Sequence, residues 1–358
     1  MKILFALNHP AHYYLFKYII KLTSFNHKIY IVIRDKDVLS ELLKLENVKY
    51  HQLLGKNNGK SIISIIFNSF IGLVKQNYNL YKFCKNKRPD LMLGTDISIS
   101  HIGKIINIPS LIYNEDDYEI NKLFCKAAYP FSSSIVAPKY TSVGKYEYKK
   151  IAYNGIQKMS YLNPKYYIPN NDITKIAKLK GKQKYFIIRV VSLAAIHDIE
   201  NKSKGININL LKKIIHKLSP HGKVFISSEK KLPDVFNKYK VSIPKNRMHD
   251  FIAFSEMFIG DSQSMCAEAG ILGVPFIRIN DFVGKIEYLN DLENNYCLGW
   301  GILPTETKKI FNTIDEIIQN KNVKSEWLIK KELLFKEKVD LVDFSISIIK
   351  KYSKNHGV

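Results

Sequence analysis

The sequence predicts an α/β protein built from two parallel sheets in tandem. Short apolar runs alternate with longer helical stretches along most of the 358 residues. Apolar strands interleaved with helices are typical of parallel sheets covered on both faces. The alternation is interrupted over residues 161–184, where prolines, asparagines and lysines cluster, and then starts again. We therefore expect two domains connected through this segment.

The first series of predicted elements opens with a strand at residues 2–7 and a helix at residues 13–23. Further strands, with helices between them, are expected at residues 28–33, 48–53, 91–94, 110–113 and 134–138. The longest apolar stretch, residues 61–74, is interrupted by polar residues and is too short to span a bilayer. We interpret it as a buried helix, with a helix lying on a membrane surface as the alternative.

The second series repeats the pattern after the break. Its strands are expected at residues 185–191, 223–228, 257–260 and 275–279. Its helices are expected at residues 206–218 and 247–255, and one or two amphipathic helices at residues 324–353. Ligands of open α/β sheets bind outside the carboxyl ends of the strands. The cleft between two such sheets is therefore the expected binding site.

Composition and charge restrict the class of partner. The chain is 46% hydrophobic and has a formal charge of +23. Two interpretations stay open: the lysines reflect an AT-rich genome, or they attract anionic lipid or a phosphate-bearing acceptor. Nucleic acid is not expected as a partner, because the sequence contains no helix-turn-helix, zinc-finger or RNA-binding signature.

The cysteines and the N-terminus indicate the cytoplasm. The four cysteines lie far apart and form no CxxC pair, which argues against a zinc site or a disulfide framework and for a reducing compartment. The first strand follows Met1 directly, without the apolar region and cleavage site of a signal peptide. We expect a cytoplasmic protein, with peripheral contact to the inner face of the cell membrane as an additional hypothesis.

The segment 259–275 carries the strongest functional signal. Its sequence is typical of a strand end, a turn formed by Ser262, Gln263 and Ser264, and a helix. Such a turn directs free backbone N–H groups and the positive end of a helix to one place, which creates an anion site. Glu268 follows Ser264 by one helical turn, on roughly the same face. A diphosphate at the turn with its ribose at Glu268 fits this spacing and suggests a sugar-nucleotide enzyme.

Other polar residues follow the remaining predicted strands of the second half, where the ligand of a parallel sheet is expected. Arg189 lies inside a strand and needs an anionic partner there. His197 could bind a phosphate, and residues 248–249 could read a nucleobase. The candidate donor-binding residues are Arg189, Ser192, His197, Ser227, Ser228, Glu229, Met248, His249, Asp261, Ser262, Gln263, Ser264, Glu268 and Arg278.

Four residues of the first half are candidate catalytic groups. His12 lies at a helix N-terminus, where the dipole favours a neutral ring able to accept a proton. Asp96 follows another strand. Asp116 and Asp117 belong to a run of four carboxylates, 115–119, that repel one another, so some should titrate high and one could act as a general base. The simpler alternatives are helix caps for the first two and a solvated acidic helix start for the run.

Two segments resemble known phosphate-binding or metal-binding motifs but do not match them. Residues 55–61 resemble a P-loop, but one residue is missing between the two glycines. Asp35 and Asp37 mimic the metal-binding DxD of other sugar transferases, but they lie far in sequence from the turn at Ser262, so we interpret them as surface residues. No cluster has metal-ligand spacing. We therefore expect neither a metal nor a cofactor beyond a nucleotide-sugar co-substrate.

Residues 261–275 resemble the D-S-G-G-I-Q-E-E-A…L-G-K-P stretch of non-hydrolysing UDP-N-acetylglucosamine 2-epimerases. In those enzymes the serine-glycine turn holds the diphosphate and the second glutamate holds the ribose. The resemblance implies a phosphate role for Ser262, Gln263 and Ser264 and a ribose role for Glu268. Gln263 and Ser264 stand where the epimerases have two glycines.

Over nearly its full length the chain is still more similar to a family labelled domain of unknown function 354. The resemblance implies the GT-B architecture: two Rossmann-like domains facing a central cleft, with a crossing C-terminal helix. It places an acceptor domain at 1–165, a nucleotide-sugar domain at 166–335 and a helix returning to the N-terminal domain at 336–358. The motifs that carry the resemblance are 8–12, 34–37, 191–198, 226–229, 248–250, 260–265 and 278–284.

The leading hypothesis is a metal-independent GT-B glycosyltransferase. Members of the resembled family look like transferases of surface-glycan assembly, so lipopolysaccharide or capsule is the expected product class. We expect a UDP-sugar as donor and a glycan or lipid-linked molecule as acceptor. His12 is the first candidate for the general base, with Asp116 or Asp117 behind it. Arg189 or Arg278 would offset the charge of the leaving group.

Two rival hypotheses belong to other classes. A sugar-nucleotide 2-epimerase needs paired carboxylates in the first domain, and Asp96 with Glu115 could serve, although the first βα loop lacks the G-T-R-P-E of those enzymes. A non-enzymatic alternative is a basic scaffold at the membrane periphery that has kept an inactive nucleotide fold. Loss of donor binding in a Glu268→Ala variant would argue against the scaffold.

Overall fold

The computed structural model describes residues 1–34, 38–55, 62–181, 183–191, 205–228 and 232–355, of which 62–70 and 354–355 are described by their backbone alone. The chain separates into two compact units. The first unit comprises Met1–Tyr166 and Val339–Val358, and the second comprises Tyr167–Lys338.

The strands of the described residues all belong to two sheets. They are β1 (Lys2–Leu7), β2 (Lys28–Arg34), β3 (His51–Leu54), β4 (Leu91–Gly94), β5 (Ser110–Tyr113), β6 (Ser134–Pro138), β7 (Lys150–Tyr153), β8 (Tyr185–Val190), β9 (Lys223–Ser228), β10 (Met257–Gly260), β11 (Phe276–Ile279) and β12 (Gly299–Ile302).

The α-helices of the described residues connect and cover these strands. They are α1 (Pro10–Thr23), α2 (Leu39–Leu45), α3 (Ile62–Lys87), α4 (Ile97–Ile106), α5 (Lys122–Ala128), α6 (Met159–Leu162), α7 (Ile173–Ile176), α8 (Ile208–Leu218), α9 (Met248–Ala253), α10 (Gln263–Leu272), α11 (Glu287–Asn290), α12 (Thr307–Gln319), α13 (Val323–Glu337) and α14 (Leu341–Asn355).

The first unit contains a seven-stranded parallel sheet in the order β3-β2-β1-β4-β5-β6-β7. Alternate residues of a strand face opposite sides. Ile3 and Phe5 therefore pack into one core with residues of α1, α2 and α14, whereas Leu4 packs into another with residues of α3, α4 and α5. The carboxyl ends of the strands share one edge of the sheet, where the loops that follow β1, β4 and β5 begin.

The second unit contains a five-stranded parallel sheet in the order β12-β11-β10-β8-β9. Its strand register aligns one residue of every strand near the carboxyl edge. This row runs, from β9 to β12, through Ser227, Arg189, Gly260, Arg278 and Gly301. The predicted strand ends of the second half are therefore neighbours in space.

The helix predicted at residues 61–74 differs from the structure in its length and in its exposure. The helix expected at 61–74 is α3, which extends to Lys87. It was expected to be buried, but the side chains of Ile71 and Val74 are 47% and 53% exposed. Among the residues that the structure describes, no helix is both long and apolar enough to cross a bilayer.

Candidate functional site

The first turn of α10 lies at the carboxyl edge of the second sheet. Ser262 is the N-cap, and its hydroxyl accepts a hydrogen bond from the Met265 amide at 3.5 Å. The N–H groups of the first helical residues, Gln263 and Ser264, have no acceptor within the helix. Ser264 is exposed, and Ser262 and Gln263 are half-buried. The turn therefore presents backbone donors and a partial positive charge to solvent, as an anion site requires.

Asp261 anchors this turn to the sheet. Its carboxylate accepts a hydrogen bond from the Val191 amide at 2.7 Å, and its carbonyl oxygen accepts one from the Asn280 side chain at 3.3 Å. Asp261 is buried. These bonds hold the turn above the ends of β8 and β10, and the predicted contact of Asp261 with the donor stays a prediction.

Arg189 occupies the aligned row on β8, between Ser227 of β9 and Gly260 of β10. Its guanidinium donates to the Ser227 hydroxyl at 2.7 Å, and Ser227 and Ser228 are half-buried at the end of β9. The neighbouring strand has glycine at this row: a Cβ on Gly260 would lie 2.8 Å from the Arg189 carbonyl oxygen. Arg189 is half-buried, and it places a fixed positive charge beside the strand that leads into α10.

Arg278 does not have the position expected of a phosphate-binding residue. Its side chain is completely buried, and Nε and Nη2 donate to the Glu293 carboxylate at 2.7 and 2.9 Å. The remaining terminal nitrogen donates to Asn280 at 2.9 Å. Because Asn280 in turn binds the carbonyl oxygen of Asp261, we assign Arg278 a supporting role behind the turn.

The predicted ribose and base residues lie together. The His249 Nε2 is 3.4 Å from a carboxylate oxygen of Glu268, and both side chains are about nine-tenths buried. Helix α9 brings His249 to this place, and Met248 beside it is half-buried. Glu268 lies in the second turn of α10, so this pair is within about one turn of the anion site.

The segment that precedes β8 is tied to α9 through Asp250. The Asp250 carboxylate accepts hydrogen bonds from the Tyr167 hydroxyl and the Asn170 amide and pairs with the Arg247 guanidinium. The Tyr167 ring lies edge-on to His249, with 6.3 Å between the ring centroids. These contacts, which could not be predicted from the sequence, hold His249 in place.

Several predicted positions lie outside the described residues. They are the candidate donor-binding residues Ser192, His197 and Glu229, the DxD look-alike at Asp35 and Asp37, and most of the P-loop look-alike, 56–61. Within the residues that are described, no group of three or more His, Cys, Asp or Glu side chains has the arrangement of a metal site.

His12 lies at the carboxyl edge of the first sheet. His9, not His12, is the N-cap of α1. The Nδ1 atom of His12 lies 3.3 Å from the Asn8 amide nitrogen, which donates, and 2.5 Å from the Thr95 hydroxyl. Because an amide N–H can only donate, Nδ1 is the acceptor and a neutral ring carries its proton on Nε2. This arrangement favours His12 as a hydrogen-bond donor and disfavours the general-base role expected for it.

Asp96 is a helix cap. It is the N-cap of α4, and one carboxylate oxygen accepts hydrogen bonds from the Ser98 amide at 2.7 Å and the Ser98 hydroxyl at 2.5 Å. The other oxygen accepts from the Gln76 side chain at 2.5 Å. Asp96 is buried. Both of its oxygens are engaged, so the structural alternative fits Asp96 better than a catalytic role.

The carboxylates of the acidic run after β5 differ in their contacts. The Glu115 carboxylate pairs with Lys158 and accepts a hydrogen bond from the Gln157 amide. Asp117 accepts from the Ser142 amide at 2.8 Å. Burial, together with the charges of Glu115 and Asp117, raises the pKa of Asp116 above its ordinary value, against the opposing effect of Lys158. The carboxyl of Asp116 is therefore the candidate general base of this run.

An Asp116→Asn variant is expected to be more stable than the native protein at neutral pH. A carboxyl with a raised pKa in the folded state favours folding while it is protonated, and this contribution is lost as the pH rises through the folded pKa. The stability difference should therefore shrink as the pH falls toward the ordinary pKa of an aspartate. Thermal unfolding across this range measures it. Glu119→Gln, at an exposed carboxylate that pairs with Lys122, is the control and should change little.

Comparisons with known proteins identify the family and the fold. The family model described as "Protein of unknown function (DUF354)" matches residues 1–346. The chain belongs to this family. A search of curated proteins returned no significant match.

Solved structures with a similar fold include enzymes of sugar-nucleotide chemistry. A putative UDP-N-acetylglucosamine 2-epimerase from Listeria monocytogenes is 11% identical with a TM-score of 0.68, covering 99% of this chain and 97% of that one. A UDP-GlcNAc 2-epimerase from Neisseria meningitidis, bound to UDP-GlcNAc, is 13% identical with a TM-score of 0.63, covering 99% and 100%. Spinosyn forosaminyltransferase is 10% identical with a TM-score of 0.64, covering 99% of each chain. The fold of this DUF354 protein is GT-B, with two Rossmann-like units.

Proposed function

We propose that this DUF354 protein is a glycosyltransferase that moves a sugar from a nucleotide-activated donor, a UDP-sugar in the first instance, to a glycan or lipid-linked acceptor. The observation that carries the proposal is the geometry of α10. Its N-terminal turn, at Ser262–Ser264, opens at the carboxyl edge of the second sheet, with the His249–Glu268 pair one helical turn further on.

The donor-binding roles follow from charge and position. The backbone N–H groups of Gln263 and Ser264, with the Ser262 and Ser264 hydroxyls, would hold the diphosphate. Arg189 lies on the adjacent strand and adds a positive charge that becomes more favourable as the leaving diphosphate develops negative charge. We therefore propose that the helix terminus and Arg189 offset the phosphate charge without a divalent ion.

The nucleoside would lie toward the His249–Glu268 pair. A carboxylate accepts hydrogen bonds from two vicinal ribose hydroxyls, which suits Glu268, and these bonds are stronger because the acceptor is charged. His249 holds Glu268 in position from α9. Met248 and the backbone beside it would contact the base. The helix terminus and the carboxylate one helical turn further on would thus bind the diphosphate and the ribose, which are adjacent in a sugar nucleotide.

The first unit would supply the acceptor side of the reaction. We propose that His12 donates a hydrogen bond from Nε2 to a bound substrate, because Nδ1 already accepts one from the Asn8 amide. Asp116 becomes the leading candidate for the base that removes the acceptor's hydroxyl proton, since its raised pKa brings it closer to the working pH. We also propose that the acceptor is an intermediate in the synthesis of lipopolysaccharide or capsule.

A sugar-nucleotide 2-epimerase is the second candidate, favoured by the fold likeness to proteins of that name. Its two proposed carboxylates are engaged in this protein: Asp96 caps α4, and Glu115 pairs with Lys158. Incubation with UDP-N-acetylglucosamine alone separates the two functions. A transferase leaves the substrate unchanged apart from slow hydrolysis, whereas accumulation of an epimer without any acceptor would overturn our choice.

A Glu268→Ala variant is expected to bind UDP and UDP-sugars roughly tenfold to a hundredfold more weakly, because charge-assisted hydrogen bonds to the ribose are lost. Isothermal titration measures the affinity, and a ligand-dependent rise in melting temperature reports the same binding. Glu256→Ala is the matched control. Glu256 is a similarly buried carboxylate, paired with Lys324 at 2.6 Å, and it precedes β10 at the opposite edge of the sheet.

The control variant should bind UDP as the native protein does. Native UDP affinity in a folded Glu268→Ala protein would contradict the ribose role. Normal glycan output from cells that carry only this variant would favour the scaffold alternative over any enzyme.

A further inference from the structure

Helix α3 extends beyond the carboxyl edge of the first sheet. Its 26 residues span about 39 Å, far longer than the four-residue strand β4. Gln76, midway along α3, binds Asp96 just after the end of β4, and Asn79 binds the carbonyl oxygen of Leu53 near the end of β3. The part of α3 that precedes Gln76 therefore projects past the edge at which His12 and Thr95 lie.

One face of α3 is apolar and open to solvent. Ile71, Val74 and Tyr78 are 47%, 53% and 55% exposed. Their spacing of three and four residues places them on one face of the helix. The opposite face, represented by Gln76 and Leu80, is buried against the rest of the unit. Exposed aliphatic residues in consecutive turns of one helix face are unusual on a surface that meets only water.

The same face is basic. Lys75, Lys82 and Lys85 are exposed, and α3 contains no acidic residue from Ile71 to its end at Lys87. The Lys82 ammonium lies 4.5 Å from the centroid of the Tyr78 ring, so charge and aromatic surface are presented together. An apolar strip flanked by lysines and an amphipathic tyrosine is the arrangement that binds the surface of an anionic bilayer.

We infer that the α3 face formed by Ile71, Val74, Lys75, Tyr78, Lys82 and Lys85 docks on a membrane that contains anionic phospholipid. The apolar side chains would enter the interface, and the lysines would meet the headgroups. The part of α3 that projects past the edge carrying His12 would then lie at the bilayer surface. This inference deepens the proposed function, because it selects a lipid-linked acceptor over a soluble glycan.

Vesicle binding tests the inference. The full-length protein is mixed with vesicles of phosphatidylglycerol and phosphatidylcholine, or of phosphatidylcholine alone, and the bound fraction is measured by sedimentation. We expect binding to the anionic vesicles only, and weaker binding at high salt. Replacing Lys75, Lys82 and Lys85 by glutamine should weaken the partition by roughly a hundredfold, since each lysine near the surface contributes about fivefold. Ile71→Ser with Val74→Ser should weaken it at least about tenfold.

Matched controls carry the same changes elsewhere. Lys212→Gln, Lys213→Gln and Lys308→Gln remove three exposed lysines from the second unit, and Leu328→Ser with Ile329→Ser changes an exposed apolar pair on α13. These variants should bind vesicles as the native protein does. Native vesicle binding by the α3 variants, or an equal loss in the controls, would overturn the inference. The inference would also be overturned if the native protein were a dimer and the Ile71 and Val74 changes dissociated it.

Binding of UDP, followed by titration, keeps this inference apart from the proposed function. The α3 variants should retain native UDP affinity, because all of the changed residues lie in the first unit. Failure of vesicle binding with UDP binding intact would reject the docking face alone. Absence of UDP binding by the native protein would reject the proposed function.

Discussion

A Glu293→Gln variant is expected to lose roughly 3–5 kcal/mol of unfolding free energy, because it leaves the Arg278 guanidinium as an uncompensated charge in the core. Arg278 is completely buried, and both bonds from Nε and Nη2 go to Glu293. Denaturant unfolding of the variant, followed by circular dichroism, measures the loss. UDP affinity should fall as well, since Arg278 supports Asn280 and through it the carbonyl of Asp261.

Two further variants show whether the cost arises from the lone charge. Arg278→Met combined with Glu293→Leu removes both charges and should recover most of the lost stability, because an apolar pair of similar volume is often neutral or stabilising. Glu287→Gln, at an exposed carboxylate in the same region, should change the unfolding free energy by less than about 0.5 kcal/mol. A Glu293→Gln protein as stable as the native one would show that the pair is dispensable.

A His12→Ala variant is expected to lose about a hundredfold to a thousandfold in kcat for sugar transfer, which is the size of effect that removal of one hydrogen-bond donor from an active site usually has. The hydrogen bond from the Asn8 amide to Nδ1 places the ring proton on Nε2. UDP release from a UDP-sugar, with acceptor present, measures the rate. UDP affinity should stay near the native value, because His12 lies in the first unit and the diphosphate turn in the second.

A His12→Gln variant distinguishes the donor role from the base role. The glutamine amide nitrogen can replace Nε2–H as a donor, but it cannot accept a proton at neutral pH. The donor role predicts that this variant keeps activity within about tenfold of the native enzyme. Activity as low as that of His12→Ala would instead favour the general-base role for His12.

The strands could be predicted where their own residues determine them. Strand β1 and strand β4 have the predicted bounds, because each is a continuous apolar run that ends at polar residues. Strands β7 and β12 were not predicted. Strand β12, with the sequence GWGI, contains two glycines, which are unfavourable in strands. A Cβ on Gly299 would lie 2.4 Å from the Phe276 ring, so the reason for that glycine becomes visible only when β11 is in place.

The sequence was sufficient to predict that the candidate site lies at the ends of several strands. It was not sufficient to predict the hydrogen-bond and ion-pair partners of the site residues. The row through Arg189 and Gly260 follows from strand ends that meet at one edge of a parallel sheet. Arg278 was expected to bind a phosphate because its actual partner could not be predicted. That partner is Glu293, fifteen residues later, and nothing in the sequence indicates that it is buried. His12 was expected to be a base because the sequence does not show how the ring is oriented, and it is the hydrogen bond from the Asn8 amide to Nδ1 that places the proton of a neutral ring on Nε2.

A crystal structure of the protein with UDP would show whether the first turn of α10 holds the diphosphate. We expect diphosphate oxygens within about 3.2 Å of the backbone nitrogens of Gln263 or Ser264, and a ribose hydroxyl at the same distance from the Glu268 carboxylate. UDP bound at another place, with the first turn of α10 left to solvent, would contradict this expectation.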